Sequence, residues 1–133
     1  MRRLAVDVLP GEYTIARLPV GSPPPATLFE LAGSALVSVT QTPDEISVVC
    51  PTDIAPEAAQ SHAGWRLLTV RGPLEFTLTG IMASMASALA AAGVSLFALS
   101  SYDTDHVLVK AADLGRAVQA LTEAGHEVHQ LTG

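Results

Sequence analysis

The sequence predicts an α+β fold built from two small βαββαβ units in tandem. Three observations carry that prediction. Hydrophobic residues make up 49% of the 133-residue chain and charged residues 15%, which calls for a dense core and excludes disorder. Apolar spacing switches between strand-like alternation and helical register along the chain. Finally, the first half slid by sixty residues aligns with the second half without a gap, as Gly33 on Gly93 shows.

Taken in order, Leu4 to Leu9 is a run of β-formers that meets the turn signal Pro10-Gly11. Tyr13 to Leu18 alternates as a strand, so residues 4–18 are expected to form a hairpin. The loop Gly21-Ser22-Pro23-Pro24-Pro25 can open a short helix, Ala26 to Ala32, that Gly33 ends. Strands Ala35 to Thr40 and Glu45 to Val49 are joined across Thr42-Pro43-Asp44, and Asp53 can cap a helical turn. Gln60 to Gly64 reads as a polar hinge, giving an N-terminal unit at 1–62 and a C-terminal unit at 63–133.

The second unit opens with strand Trp65 to Val70 and a glycine-bearing loop, Arg71 to Gly80. A helix to Ala92 follows, with Ile81, Met85, Leu89 and Ala92 on one face and Thr79 as a candidate N-cap. Gly93 terminates it. Strands Ser95 to Ser100 and His106 to Lys110 flank the turn Tyr102-Asp103-Thr104. Asp113 is expected to cap the last helix, with Leu114, Ala117, Val118 and Leu121 in register, and His126 to Leu131 forms the final strand. This order is the ferredoxin-like split βαβ pattern.

The repeat aligns more than strands. Ala35-Leu36-Val37 falls on Ser95-Leu96-Phe97, Glu45 on Asp105, Val48-Val49 on Leu108-Val109, and Asp53-Ile54 on Asp113-Leu114. Agreement of a helix-ending glycine, an acidic strand start and a helix cap at one offset is harder to obtain by chance than matching β-formers. Neither unit is large enough to bury its sheet alone, so the two are expected to share a surface with a ligand-sized cleft between them.

Composition narrows the function. A formal charge of −6 with seven scattered Lys and Arg provides no cationic cluster for nucleic acid. Gly80 to Leu99 is too short on strongly apolar residues for a membrane span, and Asp7 interrupts the opening run too early for a signal peptide. The single cysteine, Cys50, fits a reducing compartment, so the cytoplasm is expected. His126 and His129 would point to opposite faces of a strand, which argues against a metal site. No nucleophile elbow, phosphate loop or zinc motif occurs. The expectation is a non-enzyme with no cofactor and no metal.

Two fused units of this kind, with Thr79-Gly80-Ile81 opening a helix and Ser100 to Val109 forming the strand pair, resemble ACT domains. More narrowly they resemble small bacterial tandem-ACT proteins, related to the ACT modules of aspartate kinases and to the cytosolic arginine sensors. Val39 to Cys50 of the first half also resembles this subfamily, although the first unit is degenerate, a hairpin replacing its usual opening. The resemblance implies regulatory binding of a small ligand, an amino acid, between two ACT units packed side by side. An acidic residue at the start of the third strand, here Asp105, would pair with the ligand amine. The loop before the first helix, here Gly72, Pro73, Leu74, Thr79, Gly80 and Ile81, would supply main-chain contacts. Glu45, Ile46 and Ser47 of the facing unit would complete the pocket.

The chemistry of the residues is compatible with this. The helix start at Gly80 offers free N–H groups and a positive dipole end to a carboxylate, and Asp105 offers an acceptor to an ammonium. The plainer reading is that the glycines serve a tight turn and Asp105 is a solvated turn residue. The alternative function is a ligand-free interaction or oligomerisation module. A homodimer is expected in either case, because exposed edge strands and small apolar helix faces favour burial.

Overall fold

A computed structural model describes residues 3–72 and 79–132. The chain divides into two compact units, one made of Met1–Pro10 with Arg66–Gly133, the other of Gly11–Trp65. The strand β5, Gln60–Val70, runs across this division and gives its first part to one unit and its second part to the other.

The unit containing both chain ends has β1 (Ala5–Val8), the latter part of β5, α2 (Ile81–Ala91), β6 (Leu96–Ser100), β7 (Asp105–Lys110), α3 (Leu114–Glu123) and β8 (Glu127–Gln130). From β5 onward this is the expected βαββαβ order. β7 pairs with β5 and β6, so the sheet runs β6-β7-β5 and then continues through β1 to β8. β1 lies antiparallel to β5, with Val6 opposite Val70 and Val8 opposite Leu68, and parallel to β8. The N-terminal strand is thus inserted between the first and last strands of the C-terminal βαββαβ unit.

Both helices cover one face of that sheet. Val6, Val8, Leu68, Val70, Val107 and Val109 meet Ile81, Met85 and Leu89 of α2 and Ala117 and Leu121 of α3. The four-residue spacing of 81, 85 and 89 gives α2 a single apolar stripe, and burying each such large side chain stabilises by about 1.5–3 kcal/mol. The two helices end in the same turn. The Val94 N–H donates to the Leu89 carbonyl and the His126 N–H to the Leu121 carbonyl, with Gly93 and Gly125 at φ 73° and 99°.

The Gly11–Trp65 unit repeats the plan in reduced form. β2 (Tyr13–Leu18), α1 (Leu28–Leu31), β3 (Ser38–Gln41), β4 (Ile46–Pro51), a 3-10 turn (Thr52–Ile54) and the first part of β5 follow one another. β2 lies between β4 and β5, and β3 flanks β4. Both helical positions have shrunk to about one turn. Leu18, Leu28, Ile46, Val48 and Cys50 form its core.

Several expectations need correction. Residues 4–18 form no hairpin, because β1 takes β5 and β8 as partners while β2 takes β4 and β5. Insertion satisfies both edges of β1, where a hairpin would satisfy one. The Leu9 N–H still donates to the Leu67 carbonyl at 2.9 Å, and Pro10 ends the ladder because it has no N–H to give. Gln60 to Gly64 is strand rather than hinge, pairing through Gln60, Ser61 and His62 with Arg17, Ala16 and Ile15. Its exposure explains the polar composition. Asp113 precedes α3 but makes no capping bond, its carboxylate instead accepting from Arg116 at 3.2 Å.

Candidate functional site

The candidate site gathers at one end of the five-stranded sheet, where β5 ends, β7 begins and the chain leaves for α2. The β6–β7 turn fixes this corner. The Thr104 hydroxyl donates to the Val70 carbonyl at 2.6 Å, and the Ser101 N–H donates to the Thr104 carbonyl at 2.9 Å. β7 therefore starts beside the last residue of β5, one step from Arg71 and Gly72.

Asp105 is the first residue of β7 and sits opposite Ser100 of β6. Strand alternation puts it on the face that Val107 and Val109 turn toward the helices. The Ser100 hydroxyl donates to its Oδ1 at 2.5 Å. Among the described residues no ion pair neutralises this half-buried carboxylate. It can therefore accept from a bound cationic group.

The residues that follow β5 are anchored to β1. The Arg71 N–H donates to the Ala5 carbonyl at 2.7 Å, and its guanidinium donates from Nε and Nη2 to the two carboxylate oxygens of Asp7. The hydrogen bonds to Asp7 and its charge hold the Arg71 pKa above the usual arginine value. Gly72 follows, exposed, while Pro73 and Leu74 lie outside the described residues.

The chain is described again from Thr79, which is exposed and does not cap α2. Gly80 holds the N-cap position at φ 78° without a side-chain cap, a left-handed conformation that disfavours most side chains. Ser84 donates its N–H to the Gly80 carbonyl at 2.9 Å as the first helical bond. The preceding first-turn N–H groups thus have no acceptor within the helix and suit an anion. Ile81 is 6% exposed with its side chain in the core, so only its backbone can serve a ligand. Thr79, Gly80, Ala83, Ser84, Ser87, Ala88 and Ala124 line a groove of about 510 Å³ beside this helix start.

Two buried histidines belong to the same unit. His106 Nδ1 lies 2.9 Å from Thr69 Oγ1 and its Nε2 lies 3.0 Å from Ser101 Oγ. Burial lowers its pKa, while neighbouring Asp105 acts to raise it. His126 Nδ1 accepts the Leu4 N–H at 3.1 Å, and its Nε2 lies 3.2 Å from Ser84 Oγ. Burial lowers its pKa as well. Sequence reasoning overlooked Thr104, Ser100 and both histidine pairs. The run Ser100-Ser101 before a Thr-Asp-His strand start was the available signal.

Glu45, Ile46 and Ser47 lie in the other compact unit. Ile46 is 1% exposed and belongs to that unit's core, so its side chain is unavailable to a ligand. The Ser47 hydroxyl donates to Glu45 Oε1 at 2.8 Å, and the Glu45 N–H donates to Thr42 Oγ1 at 3.2 Å. Among the described residues no group of His, Cys, Asp and Glu side chains could hold a metal ion, and no helix is long and apolar enough to cross a membrane.

Comparisons with known proteins agree with this architecture. Residues 60–123 match the family model of the ACT domain. A cytosolic arginine sensor for mTORC1, subunit 1, from Bos taurus is 38% identical over 72 residues, covering 53% of this chain and 22% of that protein. The Mus musculus counterpart is 27% identical over 120 residues, 87% of this chain and 36% of the relative. The chain thus spans well under half the length of these relatives. A crystal structure of a protein from Agrobacterium tumefaciens superposes with a TM-score of 0.88 at 35% identity, covering 100% of this chain and 97% of that one. The ligand-free regulatory subunit of aspartate kinase from Thermus thermophilus shares the fold, with a TM-score of 0.63 at 16% identity over 90% of this chain and 96% of that one.

Proposed function

The chain belongs to the ACT-domain family, and on that premise we propose that it is a non-catalytic regulatory protein that binds an amino acid. One observation carries the reading. Asp105 presents a half-buried carboxylate with no ion-pair partner among the described residues, at the sheet corner from which the loop to α2 departs. Its carboxylate receives the ligand ammonium, and the N–H groups after Gly80 that have no acceptor within the helix receive the ligand carboxylate. Gly72, Pro73, Leu74 and Thr79 are the residues we assign to the remaining main-chain contacts.

The relatives support an amino acid as ligand class, since two are named as arginine sensors. Arginine is therefore the first ligand to test, and a net charge of −6 favours a cationic ligand. Absence of a recognisable acid–base pair or nucleophile in the sequence supports a binding role over turnover. We place the protein in the cytoplasm and assign it a homodimeric state on the same reading.

A second reading has its own support. α2 carries no charged residue, and Ala83, Ser84, Ser87 and Ala88 line the groove beside it, as a ligand-free oligomerisation module would require. Thermal melting across the twenty amino acids separates the two. A ligand present at a hundredfold above its dissociation constant stabilises by about 2.7 kcal/mol. A selective rise in Tm is expected for one amino acid or a small group. A flat response across all twenty overturns the sensor reading in favour of the module.

A further inference from the structure

The end of β5 and the start of α2 are each tied to the β1 segment. After β5, Arg71 grips Asp7 of β1 and donates its N–H to Ala5. At the start of α2 the tie runs through an imidazole. The N–H of Leu4, at the head of β1, donates to His126 Nδ1 at 3.1 Å, and His126 Nε2 meets the hydroxyl of Ser84 in the first turns of α2 at 3.2 Å. His126 is 4% exposed, in the turn between α3 and β8.

We propose that His126 is a positioning residue that clasps the start of α2 to β1 in its neutral form and releases it when protonated. This rests on the proposed ligand site only for its consequence, since the helix start it clasps is the one assigned to the ligand carboxylate.

The geometry fixes the tautomer. A backbone N–H can only donate, so Nδ1 must present its lone pair to Leu4 and the single ring proton must sit on Nε2, facing Ser84. Protonation puts a second N–H on Nδ1, pointing at the Leu4 N–H. That contact cannot be repaired by rotating a partner. His106 behaves differently, because both of its partners are hydroxyls that can turn from donor to acceptor. Of the two buried imidazoles, only His126 loses a bond on gaining a proton.

Among the described residues no charged group pairs with this imidazole. α2 has no charged residue. Beside β1, Arg3 pairs with Glu127 across 3.6 Å at exposed positions, and Asp7 is held by Arg71. On α3, Arg116 is engaged by Asp113 and Glu123 accepts from Gln119. On β8, Glu127 and His129 lie 3.4 Å apart. None of these side chains hydrogen bonds to His126, and burial is what lowers its pKa.

The test is amide hydrogen exchange of the ligand-free chain from about pH 7.5 to about pH 5, corrected for intrinsic exchange, on wild type and His126→Gln. Gln offers a carbonyl oxygen to Leu4 and does not titrate. In wild type, opening at the Leu4 and Ser84 N–H groups is expected to rise by about tenfold per pH unit below 6.5, as one proton is taken up, while His126→Gln stays flat. Equal pH dependence in both proteins overturns the proposal. Should His126→Gln fail to fold, nitrogen chemical shifts of the wild-type imidazole decide, with a neutral Nε2–H form expected and an Nδ1–H form contradicting. Neither readout needs a ligand, so failure of the amino-acid reading shows separately as an absence of binding.

Discussion

Thr104 donates its hydroxyl proton to the Val70 carbonyl across 2.6 Å and so fixes the start of one strand beside the end of another. The bond joins the β6–β7 turn, which presents Asp105, to the residue from which the α2 loop departs. Thr104→Val keeps the shape and removes the donor. Because the Val70 carbonyl would lose this partner, the substitution is expected to destabilise by about 1 kcal/mol, measured by urea unfolding. It should also weaken amino-acid binding more than Thr122→Val, whose hydroxyl only donates back to Val118 within α3.

Stability should fall on the acid side. Burial lowers the pKa of both His106 and His126 from 6.5. A histidine whose folded pKa is depressed contributes stability that is whole above its unfolded pKa and is lost as pH falls from there through the folded value. Urea unfolding should therefore show a decline beginning near pH 6.5 and steepening below it. His126→Gln should shallow that decline by the share of one proton, leaving the share of His106. An unchanged slope would contradict the assignment of His126 as neutral in the folded chain.

Gly80 adopts φ 78°, and among the described residues a Cβ built there meets nothing within 4 Å. Any cost of substitution is therefore conformational and not steric crowding. Gly80→Ala is expected to cost about 1–2 kcal/mol, and Gly80→Asn less, because asparagine visits this region more readily. Thermal or urea denaturation of the pair measures the difference.

Met85 is fully buried at the centre of the stripe that α2 lays on the sheet, whereas Leu31 is 66% exposed. Met85→Ala should destabilise by about 2–5 kcal/mol. Leu31→Ala should change stability by no more than about 0.5 kcal/mol. The contrast checks where the core lies.

Much of the C-terminal unit was legible because its helices and strands obey their own periods. Ile81, Met85 and Leu89 announce one helix face, and Gly93 and Gly125 mark both helix ends. The place of β1 was not legible. Nothing local in Ala5–Val8 distinguishes a hairpin strand from one inserted between β5 and β8, since the choice is made by partners more than fifty residues away. Gln60 to Gly64 misled for a related reason, a polar exposed strand having the composition of a hinge. At the site, Asp105 and the glycines could be named from spacing and resemblance. The bonds that hold them, Thr104 to Val70 and Leu4 to His126, join distant segments and leave no periodic trace.

The central claim is that Asp105 receives the amine of a bound amino acid. Isothermal titration of wild type and Asp105→Asn, with arginine first and then the amino acid that most raises Tm, tests it directly. Loss of one charge-assisted hydrogen bond is worth about 1.5–3 kcal/mol, so affinity should fall by about ten- to a hundredfold while the melting curve without ligand stays essentially unchanged. Saturable binding of equal strength by both proteins would contradict the account.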